Sequence, residues 1–144
     1  MNPLLAFPYK NMIKIVELVS QEEVTAAPIQ RATGMCHFDS TEVSDMLSYL
    51  TTFGRVKKIE EGWIIEKTEL KAKYGSFRKN YLKDAEDILK TLTDTPKSTE
   101  EIANEADKDI KMVELYLPFL EEITKYGLIS RVQGKFRASW QLVS

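Results

Sequence analysis

Apolar residues recur along the chain with the spacing of amphipathic helices, and short alternating stretches follow them. In the second half, Ile88 and Leu92 lie at helical spacing, and a capping box from Ser98 to Glu101 begins the next helix. Gly127 ends a third helix, and the alternation after it predicts a hairpin. The elements predicted for this half are helices over 84–93, from 98 to 106 and from 110 to 126, and strands over 128–131 and 135–140.

The first half repeats this plan at a constant offset along the sequence. The shift that places Ile88 on Ile15 also places Ser98 on Thr25, without a gap. Few aligned side chains are identical, so the chain repeats a structure more than a sequence. The elements predicted for the first half are a helix over 12–20, a helix capped by Thr25 and closed by Gly34, a helix capped by Asp39 that runs to Gly54, and strands over 55–59 and 63–67.

Helix, helix, turn, helix and hairpin is the element order of a winged helix, and both halves resemble winged helix-turn-helix domains. The stretch from Thr99 to Ile129 is similar to the region between the second helix and the wing of prokaryotic and archaeal regulators. The expected fold class is therefore mainly α with small β-hairpins, arranged as two tandem winged helix-turn-helix domains. The expected organisation is a first domain over 1–67, a basic and aromatic helical connector over 68–83, and a second domain over 84–144.

The composition changes this picture only by exclusion. The 144 residues are 43% hydrophobic and 29% charged, as in a globular chain, and the formal charge of -2 excludes a uniformly basic surface but not a local basic patch. No apolar run approaches the roughly 20 residues of a membrane helix, so no membrane partner is expected. The N-terminal residues lack the features of a secretion signal, and a single cysteine fits a reducing compartment, so a cytoplasmic location is expected.

The sequence offers little catalytic chemistry. Cys36 and His37 are the only cysteine and histidine, so neither a zinc cage nor a Ser-His-Asp triad can be completed around them. We expect a small buried thiol and a partly exposed imidazole at this turn. No glycine-rich phosphate loop, paired-carboxylate cleft or nucleophile motif is present, so we expect no enzyme, no metal and no cofactor.

The resemblance implies double-stranded DNA binding, as in a transcriptional regulator. In DNA-binding members the third helix enters the major groove and the wing lies beside the backbone. The second half is then the reader and the first half a support or dimerisation unit, and a homodimer is expected because such regulators read two half-sites. The expected DNA contacts are basic residues at the start of the second half's third helix and in both wings: Lys108, Lys111, Arg131, Lys135, Arg137, Arg55, Lys57 and Lys58.

An acidic helix favours a second hypothesis, a protein-interaction adaptor without DNA binding. The third helix of the first half contains Asp39, Glu42 and Asp45 and no basic residue, so its charge repels phosphate. Duplicated winged helices also resemble non-DNA-binding proteins such as the small subunit of the second endosomal sorting complex and bacterial condensin accessory proteins. The positions of this helix predicted to be exposed are Thr41, Ser44, Ser48, Tyr49, Thr51 and Thr52.

Surplus apolar residues in the second half also favour the adaptor hypothesis. Its third helix is apolar on nearly all sides, which is typical of a helix buried on more than one face. Leu115 and Leu117 fall outside the apolar stripe that the two halves share. We predict that these two leucines form an interface with the other half or with a second chain, or belong to a wider core of their own half.

Overall fold

The structure, a computed structural model, describes residues 8–73, 82–134 and 137–143. Over these ranges the chain is mainly helical with small antiparallel sheets, as predicted. The element order of the first half is repeated in the second, apart from the short strand β1. The elements are α1 (Tyr9–Gln21), β1 (Val24–Thr25), α2 (Ala26–Thr33), α3 (His37–Thr51), β2 (Arg55–Ile59), β3 (Gly62–Glu66), α4 (Lys83–Thr91), α5 (Thr99–Ala106), α6 (Ile110–Thr124), β4 (Leu128–Gln133) and β5 (Ala138–Val143).

Of the three predicted N-caps, Ser98 and Thr25 lie where they were expected and Asp39 does not. Ser98 Oγ accepts from the Glu101 backbone N–H at 3.1 Å, and Glu101 Oε1 accepts from the Ser98 N–H at 3.3 Å, which completes the capping box of α5. Thr25 lies at the N-cap of α2, but its side chain makes no capping bond within the described part of the chain. The helix α3 begins at His37, ahead of the predicted cap Asp39, and Cys36 Sγ accepts from the Asp39 N–H at 3.5 Å.

Each hairpin packs against the opposite half of the chain. Hairpin two (β4–β5) pairs with β1, so that Trp140 lies opposite Val24 in a sheet of order β1-β5-β4. Hairpin one (β2–β3) meets the segment before α5, where Trp63 and Lys97 exchange backbone hydrogen bonds of 2.8 and 3.0 Å. The shift that aligns the two halves also aligns Val24 with Lys97, so the two contacts are equivalent. The halves are therefore related by an exchange of hairpins.

Gly62 makes the contact of hairpin one with the opposite half possible. Its φ of +143° lies in a region that L-residues rarely adopt. A Cβ atom at this position would lie 2.5 Å from the Lys97 carbonyl oxygen, so no other residue fits without moving the backbone. Glycine at the start of β3 is thus explained by the close approach of the two halves.

The two halves share one apolar core. The Tyr9 ring of α1 makes edge contacts with Tyr116 and Phe119 of α6, with ring centroids 5.5 and 5.4 Å apart. Buried residues of both halves belong to the same hydrophobic cluster. Of the predicted helical connector, residues 68–73 are not helical and residues 74–81 lie outside the described ranges. Among the described residues, no helix is long and apolar enough to cross a membrane.

Candidate functional site

The helix α3, the third helix of the first half, is buried from Val43 to Thr51, whereas His37 and Phe38 at its start are exposed. The prediction that Ser44, Ser48, Tyr49 and Thr51 are exposed is wrong, because β4 of hairpin two packs along this helix. Serine is small enough for a strand to approach closely. Its hydroxyls are satisfied within the helix: Ser44 Oγ donates to the Ser40 carbonyl at 2.7 Å, and Ser48 Oγ to the Ser44 carbonyl at 3.2 Å.

Asp45 joins α3 to hairpin two. Its Oδ1 accepts from Trp140 Nε1 at 2.9 Å, and its Oδ2 forms an ion pair with Arg131 at 3.1 Å. Burial raises the pKa of the Asp45 carboxyl above its ordinary value of 3.8, and the Trp140 hydrogen bond and the Arg131 charge offset only part of this effect. Arg131, a predicted DNA contact, is thus bound to α3 by a buried carboxylate.

Lys108, a second predicted DNA contact, is also held within the chain. Its Nζ lies 2.9 Å from Asp84 Oδ1 and 3.1 Å from Asp87 Oδ2, and only 16% of its side chain is exposed. The hydrogen bond to Asp84 is the main reason that its pKa lies above 10.5. Two carboxylates neutralise this ammonium group, so it offers little attraction to phosphate.

The other predicted DNA contacts are divided between hairpin one with α6, on the one hand, and hairpin two on the other. Arg55, Lys58 and Lys111 are exposed, and Lys57 pairs with Glu66 at 3.0 Å. Arg137 is exposed on hairpin two, and Lys135 lies outside the described residues. Because hairpin two packs on α3 and hairpin one packs on α6, the predicted combination of α6 with the wing of its own half is not brought together.

The exposed face of α6 is more acidic than basic. Lys111, Glu114 and Pro118 are exposed along it, and Glu121 and Glu122 are half-buried at its far end. Lys125 pairs with Glu122 at 2.8 Å, so that end offers no free excess of positive charge. This face is therefore a poor match for a phosphate backbone.

The two leucines predicted at an interface have different environments. Leu117 is fully buried and Leu115 is half-buried. Leu117 lies on the same helical face as Glu121 and Thr124, which accept hydrogen bonds from the backbone of β2 at 2.8 and 2.9 Å. Its place on this face favours contact with the other half among the alternatives open for Leu117, and its burial leaves no surface for a second chain.

A groove opens between α2, the start of α3 and hairpin two. It has a volume of about 420 Å³ and lies in front of the Asp45 ion pair. Gln30 Nε2 and His37 Nδ1, on two of its lining residues, lie 3.3 Å apart, within hydrogen-bond distance. The residues that line it are Thr25, Ala26, Ala27, Gln30, His37, Thr41, Arg131, Gln133, Arg137, Ala138 and Trp140.

Sequence reasoning missed this groove for a physical reason. Its polar residues come from both halves, and nothing in the sequence shows that hairpin two lies beside α2. Arg131 and Arg137 are found from charge alone, whereas Gln30 and Thr41 have no local signal. Cys36, predicted as a buried thiol, is exposed beside the groove.

Comparisons with protein families, curated proteins and solved structures find no significant match to this chain. Among the described residues, no group of three or more histidine, cysteine, aspartate or glutamate side chains is placed to hold a metal ion. The functional argument therefore rests on the geometry of this chain alone.

Proposed function

We propose that the chain is a protein-interaction adaptor built on two winged helix-turn-helix units whose hairpins are exchanged, and that it does not read duplex DNA. The strand order β1-β5-β4 supports the scaffold, because a short strand before the second helix pairs with the outer strand of a wing. The observation that carries the function is the state of the two third helices: α3 is buried from Val43 to Thr51, and Lys108, just before α6, pairs with Asp84 and Asp87. A buried stretch cannot enter a groove of DNA, and a neutralised ammonium group offers little attraction to phosphate.

Charge supports the same proposal. Arg131 and Lys108 are paired with carboxylates inside the chain, and the exposed face of α6 bears more acid than base. Near the groove, Phe38 is 72% exposed at the start of α3. An exposed aromatic beside a concave surface is a typical anchor of a protein interface.

The first test is fluorescence anisotropy with a labelled 30-base-pair duplex of random sequence, titrated with the full chain at low and moderate salt. We expect no saturable binding at micromolar protein concentration, even at low salt where phosphate attraction is strongest. Binding that weakens steeply with salt, and that is lost when Lys111 and Arg137 are both changed to alanine, would overturn the proposal in favour of a DNA reader.

The second test looks for the partner directly. A photo-crosslinking amino acid is placed at Phe38 and, as the matched control, at Tyr126, which is 43% exposed on another part of the surface. We expect one cross-linked polypeptide specific to position 38, which after purification binds the wild-type chain and binds the Phe38→Ser variant at least tenfold more weakly. Equal capture at both positions, or binding unaffected by Phe38→Ser, would contradict the adaptor surface proposed around Phe38.

A further inference from the structure

The groove between α2, α3 and hairpin two concentrates donors of hydrogen bonds. Arg131 and Arg137 of hairpin two line it on one side, and His37 of α3 lines it on the other. Gln133 and Thr41 add amide and hydroxyl groups, and the lining residues that the structure describes include no aspartate or glutamate. Such a surface is complementary to an anion.

The groove is also preorganised. Arg131 is held by Asp45, and Asp45 accepts a hydrogen bond from the indole N–H of Trp140, another residue of the groove. The Gln30 amide lies within hydrogen-bond distance of the His37 ring. A site whose groups are already in place loses less side-chain entropy on binding than a flexible surface does.

The charge balance indicates which anion fits. Asp45 offsets the charge of Arg131, so the arginines among the described lining residues leave about one positive charge, that of exposed Arg137. One net charge matches a carboxylate better than a doubly charged phosphate. Planar guanidinium groups also suit a carboxylate, and Ala27, which is exposed, and Ala138, which is half-buried, provide apolar contact for the rest of a peptide.

We propose that this groove binds a short peptide segment of a partner protein through a glutamate or aspartate side chain. This proposal rests on the adaptor function and names the chemistry that the adaptor recognises. The volume of about 420 Å³ is enough for a few side chains.

The test follows the two tryptophan indole N–H signals of the ¹⁵N-labelled full chain by nuclear magnetic resonance. Trp140 is buried at the groove, where its indole N–H donates to Asp45, whereas Trp63 lies in hairpin one, is not among the lining residues and serves as an internal reference. The probe is the blocked pentapeptide acetyl-AELEA-amide, and the control is acetyl-AQLQA-amide. We expect the acidic peptide to shift the Trp140 signal saturably and to leave Trp63 unchanged, and the amide peptide to shift neither.

Two matched variants test the contact. Arg137→Gln removes the exposed groove cation, and Arg55→Gln removes an exposed arginine on the other hairpin. We expect Arg137→Gln to weaken peptide binding at least tenfold and Arg55→Gln to leave it unchanged. Equal affinities of the two variants, or no shift of Trp140 at millimolar peptide, would overturn the groove assignment while leaving the adaptor function to be decided by the cross-linking and DNA experiments.

Phosphate and a DNA duplex, compared with the acidic peptide, test whether the groove prefers a carboxylate to another anion. If inorganic phosphate shifts Trp140 as strongly as the acidic peptide at equal concentration, the assignment to a carboxylate fails. If a duplex displaces the peptide and itself binds with a steep salt dependence, the adaptor function fails, although the groove is still an anion site. If neither phosphate nor the duplex displaces the acidic peptide, and if Arg137→Gln binds that peptide more weakly, both proposals are supported.

Discussion

Thr51 and Thr124 make the same hydrogen bond in opposite directions across the chain. Thr51 Oγ1 accepts from the Ile129 backbone N–H at 3.1 Å, and Thr124 Oγ1 accepts from the Val56 backbone N–H at 2.9 Å. The shift that aligns the two halves places Thr124 on Thr51 and Ile129 on Val56. Each threonine ends the third helix of one half and receives the hairpin of the other, so this pair of bonds defines the hairpin exchange.

The first prediction concerns these two hydroxyls. Thr51→Val and Thr124→Val each keep the side-chain shape but leave one buried backbone N–H without its acceptor, which costs about 1–3 kcal/mol. We expect similar losses of unfolding free energy for the two variants in urea titrations. Thr52→Val is the matched control, because Thr52 donates only to the Tyr49 carbonyl of its own helix.

Amide hydrogen exchange shows which half of the chain responds to each of these two substitutions. The Ile129 amide should lose protection in Thr51→Val, and the Val56 amide in Thr124→Val, each in the opposite half from the substitution. A loss of amide protection confined to the half that contains the substitution would contradict the hairpin exchange.

Element order could be predicted from the sequence because it depends on local signals. The capping box at Ser98 and the apolar spacing around Ile88 report backbone preferences that hold within one helix. The partners of the hairpins could not be predicted, because the inward residues of the two hairpins are similar enough to suit either half. The burial of Ser44 and Asp45 follows from that pairing, so helix patterning alone misplaced them.

The same limit applies to the candidate site. Charge identified Arg137 as exposed, but it could not show that Arg131 and Lys108 face carboxylates that are distant in the sequence. Long-range ion pairs leave no periodic trace in a sequence. Polar residues of a groove are therefore visible only after the halves are docked.

The second prediction separates Leu117 from Leu115. Leu117→Ala creates a cavity in the shared core and should cost about 2–5 kcal/mol of unfolding free energy. Leu115→Ala removes a half-buried side chain and should cost roughly 1 kcal/mol or less. Urea denaturation measures both losses, and sedimentation measures the oligomeric state. A change of oligomeric state in Leu117→Ala without a loss of stability would show that Leu117 lies at an interface between chains.

The third prediction concerns the buried carboxyl of Asp45. Because its folded pKa lies above the ordinary 3.8, ionisation is harder in the folded state than in the unfolded state. The stabilising contribution is complete below the unfolded pKa and is lost as the pH rises through the folded pKa. Asp45→Asn keeps an oxygen acceptor for Trp140 but does not titrate.

The measurement is the unfolding free energy of wild type and Asp45→Asn from pH 3.5 to 7. We expect the stability of wild type relative to the variant to fall as the pH rises through this window. A relative stability that instead increases with pH would mean that the Arg131 ion pair outweighs the burial of the carboxylate.

The last prediction tests whether the fold requires the exchange of hairpins between the two halves. A cut after residue 77 separates each helical group from the hairpin that covers it. In the fragment 1–77, the apolar faces of α3 and of hairpin one lose their partners, and each large side chain newly exposed to water costs about 1.5–3 kcal/mol. We therefore expect neither 1–77 nor 78–144 to unfold cooperatively as a monomer, whereas an equimolar mixture regains a cooperative transition and sediments as a one-to-one complex. A monomeric fragment 1–77 with a cooperative thermal transition of its own would mean that its hairpin can close back on its own helices, and would remove the exchange as a requirement of this fold.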